Sequence, residues 1–286
     1  MKELYEQYHR LLYMLAYQLT GSAVDAEDAV QDVFEKLSKV DSDPLQMPKA
    51  YLCKMVTNRC LDLLKSASKQ REQYVGEWLP EPILLPIEEP MEIVIRNDVL
   101  SYGMLVLMER LLPVERAVFV LREAFCFDYA TVAQLVGKGE ANCRKICSRA
   151  KGKMGIVEEE FVGMMPINER WIQCFLHALK EGNVEKIMTM LKEDVRLIAD
   201  GGGERIAAIR PIENRERVSR FLLGILKKAA NSRKDFKLEL KSLNGQEGIV
   251  VEYKEEIVIA ILVQLENEKM KNMYLVRNPN KLLAIN

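Results

Sequence analysis

The chain has 286 residues, 49% apolar and 29% charged, with 41 basic against 42 acidic side chains and six cysteines. That composition excludes a wholly disordered chain and provides for two or three packed cores. The longest apolar run, Ile257 to Val263, falls far short of the ~20 residues of a membrane-spanning helix, and an N-terminus carrying Lys2, Glu3, Glu6 and Arg10 has no signal-peptide core, so the expectation is a cytoplasmic protein.

The near-neutral balance conceals three blocks. Residues 49–73 hold six basic and two acidic side chains, residues 139–153 hold five and one, and residues 76–100 hold one and six. Two basic segments around an acidic one suit two contacts with nucleic acid, which the overall charge alone would argue against.

In chain order, Leu4, Tyr8, Leu11, Leu12, Leu15 and Leu19 predict a helix ending at Gly21. Ser22, with Asp25 three residues on, reads as the N-cap of a second helix. Ala26, Ala29, Val30, Val33, Phe34 and Leu37 form its apolar stripe, and Asp25, Asp28, Gln31, Asp32 and Glu35 form a face for solvent or a protein partner. Pro48 suits the first turn of a third helix, which displays Asn58, Arg59, Asp62 and Lys65. A basic polar loop, Ser66 to Arg71 with Lys69 inside it, is expected next. Such a surface fits single-stranded DNA, and it fits a solvated helix almost as well.

Pro80, Pro82, Pro86 and Pro90 then forbid a continuous helix and predict an extended connector. Its Trp78-Leu79-Pro80-Glu81-Pro82 stretch is apolar enough to lie against a folded surface. Helices are predicted over Asp98–Leu112, from Pro113 with Val114, Ala117, Val118 and Leu121 inward, and over Tyr129–Val136. Gly137-Lys138-Gly139 makes a turn into a last helix, Glu140 to Met154. Its stripe is Cys143, Ile146, Cys147, Ala150 and Met154; its outer face is Asn142, Arg144, Lys145, Ser148, Arg149 and Lys151. A short helix, a glycine turn and a basic helix make a helix-turn-helix.

Beyond it, helical spacing covers Asn168 to Leu191, a strand Val195–Ala199, a turn Asp200-Gly201-Gly202-Gly203, and a helix Arg215–Ala230. Four strands come next, Phe236–Leu243, Ile249–Tyr253, Ile257–Leu265 and Met270–Val276, so the expected C-terminal fold is an α+β cone on an antiparallel sheet. Proton chemistry in such a cone needs a positioned carboxylate with a tuned His or Tyr. His177 sits on an outer helix face, and the spacing of Asp194, Asp200, Tyr253 and Tyr274 demands no site. No catalytic residue, cofactor or metal is expected: the cysteines lack zinc-type spacing and read as buried reduced thiols.

These residues together resemble a family. Gly21-Ser22 with Asp25 to Phe34 resembles the core-polymerase-binding helix of region 2 in extracytoplasmic-function sigma factors. Ala50-Tyr51-Leu52 through Thr57 to Asp62 resembles their −10-element helix. Leu112-Pro113-Val114-Glu115-Arg116 and Glu140 to Arg144 resemble region 4. Trp78 to Pro82, Asp200 to Gly203 and Asn278-Pro279-Asn280-Lys281-Leu282 resemble the subgroup with a fused SnoaL-like (NTF2-like) domain, although Glu204 and Asn280 stand where a basic residue and an aspartate are expected.

The resemblance implies all-α region 2 over residues 1–75, an acidic linker over 76–97, an all-α helix-turn-helix region 4 over 98–157, and an α+β regulatory domain over 166–286. It implies a promoter-selecting polymerase subunit without chemistry of its own. Asp25, Asp28, Gln31, Asp32 and Phe34 would meet the beta and beta-prime subunits of core RNA polymerase. Asn58, Arg59, Asp62, Lys65 and Lys69 would meet −10 DNA, and Asn142, Arg144, Lys145, Ser148, Arg149 and Lys151 the −35 element. Trp78, Leu79, Pro80, Glu81 and Pro82 with Asp200, Gly201, Gly202, Gly203, Asn278, Pro279, Lys281 and Leu282 would regulate in cis, with no membrane anti-sigma partner required. The alternatives are a ligand-responsive helix-turn-helix regulator and an isomerase or cyclase fused to a DNA-binding module.

Overall fold

The computed structural model describes residues 2–39, 48–71, 74, 76–85, 101–155, 169–205, 207–231 and 236–286; of residues 67–71 and 229–231 it describes the backbone only. These residues divide into two compact units. One comprises the described parts of 1–73 and 104–158, the other those of 74–89, 101–103 and 159–286.

The first unit opens with α1 (Lys2–Thr20), α2 (Ala23–Ser38) and α3 (Pro48–Arg71). Gly21, at φ +72°, ends α1 in the left-handed conformation glycine tolerates, its N–H donating to the Tyr17 carbonyl at 2.8 Å. The Ser22 hydroxyl accepts from the Asp25 N–H at 3.2 Å, which is the predicted N-cap. Leu12, Leu15, Leu19, Ala26, Ala29, Val30, Leu52 and Val56 are fully buried, as their periodicity requires. One expectation fails here: 66–71 continues α3 rather than forming a loop. No proline or glycine interrupts it, and Ala, Lys, Gln and Arg are good helix formers.

The helix predicted from Asp98 is short. Residues 98–100 lie outside the described set, and α4 spans Tyr102–Met108, of which Met104 onward belongs to this unit. Glu109, Arg110 and Leu111 then donate to carbonyls three residues back, tightening the chain ahead of Pro113. Pro113 opens α5 (Pro113–Phe119), a π-helical turn covers Val120–Ala124, and α6 (Tyr129–Val136) and α7 (Glu140–Met154) complete the unit. Asp128 caps α6, accepting from the Thr131 N–H at 2.7 Å, and Gly137 ends it at φ +63°. Arginine is a residue type that usually faces water, but Arg116 is only 2% exposed. It donates to the Gln18 carbonyl at 2.8 Å and to the Glu109 carboxylate at 2.6 Å, tying α1 to α5.

The second unit contains α8 (Glu169–Lys180), α9 (Val184–Met190), β1 (Leu191–Asp200), β2 (Ile212–Glu213), α10 (Arg215–Asn231), β3 (Phe236–Leu243), β4 (Gln246–Tyr253), β5 (Glu256–Glu266), β6 (Lys269–Val276) and α11 (Pro279–Leu282). One six-stranded sheet runs in the order β2-β1-β6-β5-β4-β3. The pairs β3–β4, β4–β5 and β5–β6 are antiparallel hairpins, but β1 lies parallel to β6, so the expected all-antiparallel sheet is mixed. The long intervening chain, α10 included, makes that crossover feasible. Ile172, Phe175, Leu191, Leu197, Val218, Met270 and Met273 form the core between helices and sheet. The fold class is therefore all-α followed by α+β.

All six cysteines are free; Cys126 and Cys174 are exposed and the other four buried. Burial pushes the Cys53 and Cys60 thiols up to about 12, so both stay neutral and unreactive in the native protein. A thiol-specific chromogenic reagent at pH 8 is expected to modify Cys126 and Cys174 at once and the other four only after denaturation, as read by peptide mass spectrometry.

Candidate functional site

Three polar constellations stand apart from the cores. The first is a cleft of about 250 Å³ lined by Val33 and Lys36 of α2 and by Met55, Asn58, Arg59 and Asp62 of α3. Asn58 and Asp62 are exposed there, with Lys65 paired to Asp62 at 2.9 Å, which holds the Asp62 carboxyl below its usual range. Arg59 reaches across to Asp32 at 2.6 Å. The structure thus joins a residue read as polymerase-facing to one read as DNA-facing. Asp28 and Gln31 are exposed and Asp25 and Asp32 partly so, but Phe34 is a correction. It is 8% exposed and packs edge-on against Tyr5, with ring centroids 4.9 Å apart, so it belongs to the core. The Lys69 side chain lies outside the described residues.

The second is the outer face of α7. Cys143, Ile146, Cys147, Ala150 and Met154 are buried, which turns Asn142, Arg144, Lys145, Ser148 and Arg149 outward. Lys151 differs: its side chain is 22% exposed and pairs with Glu123 of the π-helical turn at 3.1 Å. The helical repeat carries it off the open face toward that carboxylate. Arg144 is exposed but not loose, since it contacts Glu140 at 2.6 Å and lies 4.4 Å from the centre of the Tyr129 ring.

The third constellation lies inside the second unit and is built around Asp200, at the end of β1, and Lys281, in α11. They are 1% and 3% exposed and pair at 2.7 Å. Two charges that far from water need every remaining hydrogen bond satisfied. The peptide of Leu79 meets that need: its N–H donates to Asp200 Oδ2 at 2.9 Å, and its carbonyl accepts from Lys281 Nζ at 2.6 Å. Asp200 Oδ1 accepts from the Gly202 N–H at 3.0 Å and from the Tyr74 hydroxyl. The Tyr74 hydroxyl also accepts from Asn278 Nδ2 at 2.9 Å, and burial together with the Asp200 carboxylate raises its pKa. Lys281 Nζ sits 3.2 Å from the Trp78 ring centre.

The connector continues along the sheet. Tyr102 donates to the Pro80 carbonyl at 2.7 Å, Ile83 exchanges hydrogen bonds with Asn244, and Leu84 bridges to Leu243 at the end of β3. Pro80 and Pro82 are buried and Glu81 is partly so. Gly202 is required twice: φ is +68°, and a Cβ would lie 2.6 Å from the Asn278 side chain. Gly201 is closed in as well, and Gly203 is exposed at φ +75°. Leu282 is buried, whereas Glu204 and Asn280, the two departures from the expected pattern, are exposed.

Sequence reasoning does not single out Tyr74, Tyr102 or Asn244 for this network. The one available signal is an aromatic pair at Tyr74 and Trp78; Asn244 carries only a turn signal. His177 is solvent-exposed beside Glu181 at 3.2 Å, and Asp194 is held by Lys271, which keeps its carboxyl low. Tyr274 donates to Gln264 at 3.0 Å. These groups do not converge on a reaction centre. Among the described residues no cluster of three or more His, Cys, Asp and Glu side chains is arranged for a metal ion, and no helix is long and apolar enough to cross a membrane.

Lys281→Met keeps the stem and removes the cation, leaving the Asp200 carboxylate buried, a loss of about 3–5 kcal/mol for a broken buried pair. The Leu79 amide should exchange with deuterium far faster than in the parent. Combining Lys281→Met with Asp200→Asn should recover part of that protection.

Comparison with known proteins gives the context. Residues 4–70 match Sigma-70 region 2, and residues 104–154 match Sigma-70, region 4. The ECF RNA polymerase sigma factor SigJ of Mycobacterium tuberculosis is 31% identical over 227 residues, covering 78% of this chain and 72% of that one. The probable ECF RNA polymerase sigma factor SigI of the same species is 29% identical over 185 residues, 63% of each chain. The crystal structure of M. tuberculosis SigJ superposes with a TM-score of 0.78 at 25% identity, covering 99% of both chains. The fold thus matches from end to end, and the chain belongs to the extracytoplasmic-function (ECF) RNA polymerase sigma factor family.

Proposed function

We propose that the chain is a dissociable, promoter-selecting subunit of RNA polymerase, working in the cytoplasm, with residues 1–75 as region 2, 98–157 as region 4 and 166–286 as a regulatory domain. The observation that carries this reading is the outward face of α7, where Asn142, Arg144, Lys145, Ser148 and Arg149 stand exposed after a glycine turn. Arginine donates bidentately to guanine in the major groove, and amides and hydroxyls complete such contacts. In region 2, Asp28, Gln31 and the Arg59-linked Asp32 would meet the beta and beta-prime subunits. The α2–α3 cleft, with an amide, a carboxylate and two cations on its wall, would receive an unstacked −10 base.

The C-terminal unit acts in this reading by contact rather than turnover. Its aspartate–lysine pair fixes the connector between regions 2 and 4 and so governs the freedom of those regions to take up promoter spacing. Docking within one chain works at high effective concentration, so no separate membrane-bound anti-sigma partner is needed for restraint.

Run-off transcription with purified core polymerase tests the whole reading, and failure to obtain any promoter-specific transcript would overturn it. Asn58→Ala should reduce permanganate reactivity of thymines near the start site while leaving closed-complex formation near the parent level. Arg149→Ala should cost about 1–3 kcal/mol per lost base contact at promoters with a −35 element.

Regulation has its own test at equal protein abundance. Stopping the chain just before Asn278 removes the lysine half of the pair and should raise promoter activity. Stopping near Met165 removes the whole regulatory unit and should lower it, because the connector loses its support. Two truncations that transcribe like the full chain would remove the C-terminal unit from regulation.

A further inference from the structure

The Arg144 guanidinium is the most constrained group on the exposed face of α7. Its side chain is 59% exposed, yet one nitrogen contacts Glu140 at 2.6 Å and its centre lies 4.4 Å from the Tyr129 ring centre. An exposed arginine without such partners samples many rotamers and loses that freedom on binding.

The ring beneath it is itself fixed. Tyr129 is the first residue of α6, directly after the Asp128 cap. A second guanidinium, that of Arg122, lies 4.7 Å from the same ring centre. Arg122 is anchored in turn, donating to the Phe127 carbonyl at 2.9 Å. It belongs to the π-helical turn Val120–Ala124, closed by the Phe125 N–H on the Val120 carbonyl at 3.1 Å. One extra residue in a helical repeat rotates the succeeding residues by about 100°, and π turns of this kind recur at functional sites. Of this group, only Arg144 carries a DNA-facing signal in the sequence.

We infer that Tyr129 is a positioning residue for promoter discrimination: its ring, steadied by Arg122, holds the Arg144 guanidinium at the start of α7 so that Arg144 reads one base pair of the −35 element with two hydrogen bonds. This rests on the reading of α7 proposed above. Bidentate recognition of guanine tolerates little misorientation, so a guanidinium laid on an aromatic face is prepared for it, while one on a flexible stem is not. Glu140 supplies the second restraint, and its carboxylate must release one guanidinium nitrogen as the base takes its place.

The experiment uses the full-length protein with core polymerase and a promoter panel in which each −35 base pair is changed singly. Arg144→Ala should flatten discrimination at one position, from tenfold or more to about twofold or less. Tyr129→Leu should flatten the same position several-fold and leave the others unchanged, Tyr129→Phe should behave like the parent, and Tyr129→Leu should add nothing to Arg144→Ala. Thermal melting of each variant accompanies the panel. Parent-like discrimination by Tyr129→Leu, with Arg144→Ala still flattened, overturns the positioning role and leaves the α7 reading intact. An even loss at all positions with a lowered melting midpoint also overturns it, since that marks a structural role. Parent-like discrimination by Arg144→Ala also overturns the inference, and a panel in which the parent itself discriminates at no −35 position overturns the α7 reading beneath it.

Discussion

A lysine and an aspartate that are both out of water dominate the second unit. The Asp200–Lys281 pair is sustainable only because the intervening backbone supplies what solvent would: an N–H for the carboxylate and a carbonyl for the ammonium, both from Leu79. Much of the local architecture serves that geometry. Gly202 allows β1 to turn back on itself, Asn278 starts α11 and reaches Tyr74, and Trp78 covers the ammonium with its ring. Because the partners at Leu79 are its peptide groups rather than its side chain, the clasp recognises the path of the chain there, while Tyr74 and Trp78 contribute their side chains.

The first unit obeys a different constraint. Its two family regions share one compact body, held in part by buried Arg116 between α1 and α5. The Gln18 carboxamide and the Thr57 hydroxyl are buried without hydrogen-bond partners among the described residues. Orphaned polar groups of that kind weaken the packing around them, each by about 1–3 kcal/mol. The proposed promoter contacts bear on this directly. Elements named for positions −10 and −35 are about 85 Å apart at 3.4 Å per base pair. A compact body of this size is about 35 Å across. Simultaneous contact with both elements, as proposed above, therefore requires the body to open.

Local order was the legible part of the sequence. The apolar stripes of α1, α2 and α7, the Ser22 cap, the Gly137 turn and the four C-terminal strands all derive from periodicity and from residues with particular backbone preferences. Illegible features depend on partners distant in sequence. Arg116 carries a side chain that usually faces water, and nothing adjacent announces that Gln18 and Glu109 will enclose it; the resemblance groups Lys281 with Asp200 and Leu79, but does not give their buried pairing through the Leu79 peptide. The parallel pairing of β1 with β6 and the two-residue β2 have no periodic signature. The candidate surfaces divide in the same way. The exposed face of α7 could be read from alternation of apolar and polar residues, and so could the burial of Phe34, which the resemblance alone put on the polymerase face; the withdrawal of Lys151 to Glu123 required the tertiary packing.

The bond from Lys281 to Leu79 spans 202 positions of sequence. Synthesis proceeds from the N-terminus at about 5–20 residues per second, so Leu79 precedes its partner by about 10–40 s. Residues 1–155 are complete and able to pack well before α11 exists to hold the connector. Every newly made molecule therefore passes through an interval in which its helical regions are formed and their anchor is still being translated.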